Sequence, residues 1–159
     1  MKRGSIYIAV AGVLLLVAAY FYTILTEQHV KPAPVSTSSL ASPMRTIGVG
    51  DQTVQATVVE TPAERQRGLS GREGLAPDEG MLFIFPADGE YGFWMKDMRF
   101  SIDILWLAAD GTIVSITENV SPDTYPQSFE PTQQARYVLE LPAGYAAAHS
   151  VEVGDWVQL

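Results

Sequence analysis

The 159-residue chain contains no cysteine and only two histidines. The first absence excludes disulfides and thiol catalysis, and it is compatible with an oxidising compartment without indicating one. With histidine confined to His29 and His149, a histidine metal site or a Ser-His-Asp triad has almost no material. His149, near the end of a short helical stretch, is accounted for by a favourable dipole contact. Glycine-rich nucleotide loops, a GxSxG elbow, an HExxH pair and EF-hand spacing are also missing, so neither a metal nor a cofactor is expected. Cations are scarce as well. From Thr46 onward six Lys and Arg stand against seventeen Asp and Glu, a net charge of −11. Such a surface repels phosphate backbones, and nucleic acid is not an expected partner.

What the chain does have is a run of twenty apolar or weakly polar residues, Ile6 to Leu25, preceded by Met1-Lys2-Arg3-Gly4-Ser5. Twenty helical residues rise roughly 30 Å, the thickness of a bilayer's hydrocarbon core. Lys2 and Arg3 then mark residues 1–5 as cytoplasmic, which places the rest of the chain outside the cytoplasm, in a periplasm or at the cell exterior. A cleaved secretory signal is the alternative, because Val17-Ala18-Ala19 supplies small residues of the kind accepted at a cleavage site. The apolar run continues through Leu25, longer than a signal core of about 7–15 residues, which favours an uncleaved anchor. Residues 26–45, rich in Ser and Pro and without periodicity, read as a linker. The bilayer is therefore one expected partner, through residues 6–25.

Residues 46–159 are enough for one domain with its own core. Thr53 to Val58 alternates and is β-branched, the pattern of a half-buried strand. Thr61-Pro62-Ala63-Glu64 is a helix-start signal, with a capping hydroxyl, proline at the first helical position and glutamate three after the cap. It predicts a helix from Pro62 to about Leu69, stopped by Gly68 or Gly71. Further strands are predicted at Met81–Phe85, Tyr91–Lys96, Ile102–Leu107, Thr112–Thr117, Arg136–Leu141 and Trp156–Leu159, with a short helix over Pro142–Ser150. Asp110-Gly111 suits the left-handed angles of a tight hairpin turn. Ser121 to Gln134 reads as a long surface loop. The expected class is α+β and mainly β: a small barrel-like or sandwich-like antiparallel sheet with two short helices, preceded by one transmembrane helix.

Several polar residues interrupt otherwise apolar segments. Asp103 stands within Ile102-Ile104-Leu105-Trp106, and Glu140 within Tyr137 to Leu141. Lys96 and Asp97 end an aromatic stretch containing Trp94, and Arg67 and Arg72 flank the first helix stop. An ion pair or a backbone cap accounts for any one of them. Taken together, Arg67, Arg72, Trp94, Lys96, Asp97, Asp103 and Glu140 are candidates to line a ligand site.

The ordered segments Glu64-Arg65-Gln66-Arg67-Gly68-Leu69, Gly71-Arg72, Glu79 to Phe83 with Phe85, Phe93-Trp94-Met95-Lys96, Ile102-Asp103-Ile104, Tyr137 to Glu140 with Gly144, and Gly154-Asp155 resemble the family labelled domain of unknown function 192. The resemblance covers about Val54 to Val157. It implies a small β-rich extracytoplasmic domain behind a signal or anchor, and it supplies no activity. Where relatives read Trp-Met-Lys-Asn-Thr and then Pro-Leu-Asp-Ile, this chain has Asp97, Met98 and Ser101, so a carboxylate beside Lys96 offsets its charge. Three functions stand open: a binding or accessory module of the cell envelope for a small polar ligand, a glycan or a peptide; a structural or assembly domain with no ligand site; and a hydrolase using Asp103 and Glu140 as acid and base.

Overall fold

The computed structural model describes residues 42–159. The predicted cytoplasmic segment 1–5, the anchor 6–25 and most of the linker 26–45 lie outside the described residues. Among the described residues no helix is long and apolar enough to cross a membrane.

Among the described residues seven strands and two short α-helices follow one another as β1 (Met44–Val49), β2 (Gln52–Val59), α1 (Pro62–Arg67), β3 (Glu79–Gly89), β4 (Ile102–Leu107), β5 (Ile113–Val120), β6 (Ala135–Pro142), α2 (Tyr145–Ala148) and β7 (Val157–Gln158). They form one sheet in the order β5-β4-β6-β3-β2-β1-β7. The α+β, mainly β class is as expected. The sheet departs from a wholly antiparallel one at a single place, because β2 and β3 run parallel. The reason lies in residues 60–78: a parallel pair needs a long crossover, and α1 with its following loop supplies it.

α1 begins as its sequence dictates. The Thr61 hydroxyl accepts from the Glu64 amide at 3.2 Å, and the Glu64 carboxylate accepts from the Thr61 amide at 2.9 Å. The Thr61 hydroxyl also donates to the Glu64 carboxylate at 2.7 Å, and that bond, followed by the one from the Thr61 amide, holds the Glu64 carboxyl below its ordinary range. The helix ends at Gly68, one of the two glycines expected to stop it, where φ is +49°. The hairpin of β4 and β5 forms as expected, but only Gly111 of the Asp110-Gly111 pair takes a left-handed φ, +91°, and the turn is closed by Gly111 N donating to Ala108 O at 3.0 Å. Gly111 has a second use, since a Cβ there would lie 2.6 Å from the Val157 carbonyl. Its absence lets β7 reach the hairpin: Val157 N donates to Gly111 O at 2.9 Å and Ile113 N to Asp155 O at 2.8 Å. The two ends of the strand order meet there, and the sheet curls toward closure.

β4 sits between β5 and β6 and is buried at every position. Because side chains alternate across a strand, it feeds two cores. Leu105 and Leu107 join Leu139, Leu141, Tyr145 and Ala146 on the face covered by α2. Ile104 and Trp106 join Met81, Phe83, Met95 and Val138 on the other face.

Three local expectations are corrected. Residues 91–96 are not a strand; Phe93 makes one isolated bridge to Phe129, and the segment lies across the second core as a cover. Its alternation is real, with Met95 buried and Trp94 outward, but the Trp106 indole N–H donates to the Tyr91 carbonyl at 2.8 Å and backbone pairing is limited to the Phe93–Phe129 bridge. Pro142 ends β6 instead of starting a helix; the turn passes through Gly144, φ +81°, before α2. Finally, β1 was not expected, and Met44 and Arg45 belong to it rather than to the linker. Only Ile47 and Val49 of its six residues are buried, too short an apolar signal to stand out beside Gly48.

Candidate functional site

A cavity of about 350 Å³ opens on the second core's face. One wall is the end of α1 and the turn after it, bringing Arg65, Arg67 and Leu69. The opposite wall is the 91–98 cover, bringing Tyr91, Phe93, Trp94 and Met98, and β3 contributes Phe83 and Phe85. Glu140 enters from β6. Its register opposite Met81 and Ile104 puts it on the face shared with Phe83 and Trp106.

Aromatic packing fixes these walls. Phe93 meets Phe83 edge-on with centroids 4.8 Å apart, and Trp106 edge-on at 6.2 Å. Phe85 stacks on Tyr91, and the Arg65 guanidinium lies 4.9 Å over the Phe85 ring while donating to the Ile84 and Glu60 carbonyls. Trp94 is half exposed at the rim, edge-on to Tyr125.

Glu140 is the exceptional group. It is 5% exposed, and its Oε2 has no hydrogen-bond partner among the described residues. Desolvation by this apolar setting pushes its carboxyl up to about 8, against a smaller downward pull from the Arg72 charge. A buried acceptor left unmatched costs about 1–3 kcal/mol, so its retention here needs a reason.

The other candidate residues divide sharply. Arg67 and Trp94 share the cavity with Glu140. Arg72 pairs with Glu79 at 2.8 Å and lines an adjoining cavity of about 320 Å³, which shares Arg67, Gly68 and Ser70 with the first. Lys96 and Asp97 are exposed and line neither space; their carbonyls instead hold the turn after α1, accepting from Ser70 Oγ and Gly71 N at 2.9 Å each. They are not among the ion pairs of the described residues.

Asp103 lies on the other face altogether. It is fully buried, and its carboxylate accepts from three backbone amides: Asn119 at 2.8 Å, Gly144 at 3.0 Å and Ala146 at 2.9 Å. In the β4–β6 register Asp103 stands opposite Leu141 and Glu140 opposite Ile104, so the sheet separates the two carboxyls. An acid–base pair acting on one bond is excluded by that geometry. Among the described residues no group of three acidic or histidine side chains could hold a metal.

Sequence reasoning missed the aromatic wall. Phe83, Phe85, Phe93 and Leu69 carry only an apolar signal, which core residues share, and nothing local indicates that a space remains between them.

The fold and this cavity define a small α+β domain with a curled mixed sheet and one enclosed, unpartnered carboxyl. The chain belongs to the family of domain of unknown function 192, described as Uncharacterized ACR, whose profile matches residues 45–159. It is 32% identical over 87 residues to a UPF0127 protein of Pyrococcus abyssi, covering 52% of this chain and 68% of that one. Among solved structures, a Sinorhizobium meliloti protein provisionally titled a transcription regulator superposes with a TM-score of 0.71 at 30% identity, covering 74% of this chain and 95% of that one. A protein of unknown function from Novosphingobium aromaticivorans superposes at 0.72 with 25% identity, covering 80% and 90%.

Proposed function

We propose that the chain is a membrane-tethered, extracytoplasmic binding module, with a small ligand or ligand side chain held in the cavity between α1 and residues 91–98. The observation that carries the reading is Glu140 Oε2, buried in an aromatic-lined space without a partner. A small apolar space with one convergent polar group is the usual form of a ligand site. A transcriptional role, the provisional title of the Sinorhizobium meliloti protein, draws no support from a domain whose net charge is −11 from Thr46 onward.

Titrating the ¹⁵N-labelled full chain, in zwitterionic micelles, with a library of small polar fragments tests the cavity. Amide shifts are expected to cluster at Gly68–Ser70, Phe83, Phe93–Trp94 and Glu140. Hits scattered elsewhere, or none, would defeat the reading and leave an assembly domain as the better account.

The tether rests on the apolar length of residues 6–25 and the charges of Lys2 and Arg3. The expected result is a chain that stays with membranes through alkaline carbonate extraction and is digested by protease added outside intact spheroplasts. Release by carbonate, or protection from the protease, counts against tether or orientation respectively.

A further inference from the structure

Building on the cavity reading, we infer that the site seats a primary ammonium group at the end of a short methylene chain, with Glu140 Oε2 as its acceptor. No protein donor among the described residues reaches Glu140 Oε2, so its donor comes from outside, and a ligand that supplies one takes the place of water there. Once the Glu140 carboxyl is ionised, an anionic group is repelled at that depth, whereas an ammonium is held there. Phe83, Phe93 and Trp94 line the same cavity, and aromatic rings suit methylenes and attract a cation.

The charges around the cavity sort by availability. Arg65 is consumed by two carbonyls and the Phe85 ring, and Arg72 by Glu79. Arg67 lines the cavity and has no ion-pair partner among the described residues. It favours a free carboxylate at the ligand's far end. Glu90 and Tyr91 are the titratable groups brought by the covering segment; β3 and β4 bring Phe83, Phe85, Ile104 and Trp106 to this face. An ω-amino carboxylate of lysine type matches the arrangement, with the same ammonium also available on a lysine of a peptide.

Binding has a proton balance. Burial holds the empty site's carboxyl up to about 8, so at pH 6–7 it carries a proton, while the ligand ammonium stays charged. Seating the ammonium favours the carboxylate, and that proton leaves to solvent.

The test is calorimetry and ¹⁵N shift mapping on the full chain in zwitterionic micelles with Nα-acetyl-lysine, its methylamide, and Nα-acetyl-norleucine. Nα-acetyl-lysine is expected to bind in the cavity, to release close to one proton as read from buffers of different ionisation enthalpy, and to tighten about tenfold from pH 6 to pH 7. Glu140→Gln, near-isosteric and relieved of the buried charge, is expected to remain folded, to bind at least about tenfold more weakly and to lose the pH dependence. A preference for the free acid that Arg67→Gln removes supports a small amino-acid-like ligand; a preference for the methylamide supports a peptide lysine on the same seat. Equal or tighter binding of Nα-acetyl-norleucine, or affinity that falls as pH rises, overturns the ammonium seat while leaving the cavity as a site. Absence of cavity shifts with every probe and with the fragment library overturns both.

Discussion

Replacing Asp103 with alanine is expected to destabilise the domain by about 4 kcal/mol, the largest effect of any single substitution outside the apolar core, because it strands three buried donors at once. The Asp103 carboxylate gathers the amides of Asn119, Gly144 and Ala146 from the end of β5 and from the turn into α2. Asn119 and Gly144 both hold positive φ, +52° and +81°, so the carboxylate fixes two backbone conformations as well as three bonds. For a domain of this size a loss of about 4 kcal/mol corresponds to roughly 15 °C in Tm. Asp103→Asn keeps one acceptor oxygen but turns an amide N–H₂ toward backbone donors, and about half the loss is expected. Thermal and urea unfolding of both variants measure this. An alanine variant within 1 kcal/mol of wild type would mean that water or rearranged backbone satisfies those amides, and Asp103 would lose its structural role.

Glu140→Gln is expected to act in the opposite direction, and increasingly so as pH rises. The folded-state carboxyl titrates near 8 and its ordinary value is 4.5, so between those limits the folded chain binds a proton that the unfolded chain has released. Stability from this group is complete below about pH 4.5, falls through the window, and is gone above about 8. The full window is worth roughly 5 kcal/mol, against a total stability of about 5–15 kcal/mol for a typical domain. Glutamine has no proton to lose. The stability difference between variant and wild type should therefore grow by about 1.4 kcal/mol per pH unit from pH 5 to pH 8, read from urea unfolding by tryptophan fluorescence. A difference that stays flat over that range would show that Glu140 is solvated or paired in solution, and would remove the support for a ligand-dependent charge at the cavity. The contrast between the two carboxyls is physical: Asp103 faces three donors, and Glu140 Oε2 faces none.

Local chemistry was readable wherever neighbouring residues settle the outcome among themselves. Thr61, Pro62 and Glu64 form the expected capping box because donor and acceptor are three residues apart. The hairpin expected around Asp110-Gly111 forms, with the left-handed angle at Gly111 alone and the Asp110 side chain accepting from the Thr112 amide at 2.9 Å. The cover over residues 91–96 was misread because inward–outward alternation is common to a strand and to an extended segment lying on a core; only backbone pairing distinguishes them, and here it is limited to Phe93 with Phe129. β1 was missed because two buried residues, Ile47 and Val49, give too weak a period.

The candidate site shows the same division. That Asp103 and Glu140 were unusual followed from charge inside apolar strands. Their different uses did not, because the sheet face a residue occupies depends on register, and one step of register exchanges the faces.

By itself the sequence determined an acidic, cysteine-free, mainly β domain of the family of domain of unknown function 192, with α1 and the β4–β5 hairpin in place. Capping, turn geometry and alternation act over a few residues, and composition needs no structure at all. Only the tertiary structure decided the parallel β2–β3 pair, the meeting of β7 with the hairpin through Gly111, and the cavity that leaves Glu140 unmatched. Those are consequences of long-range packing, in which segments far apart in the chain either fill a space or leave it open.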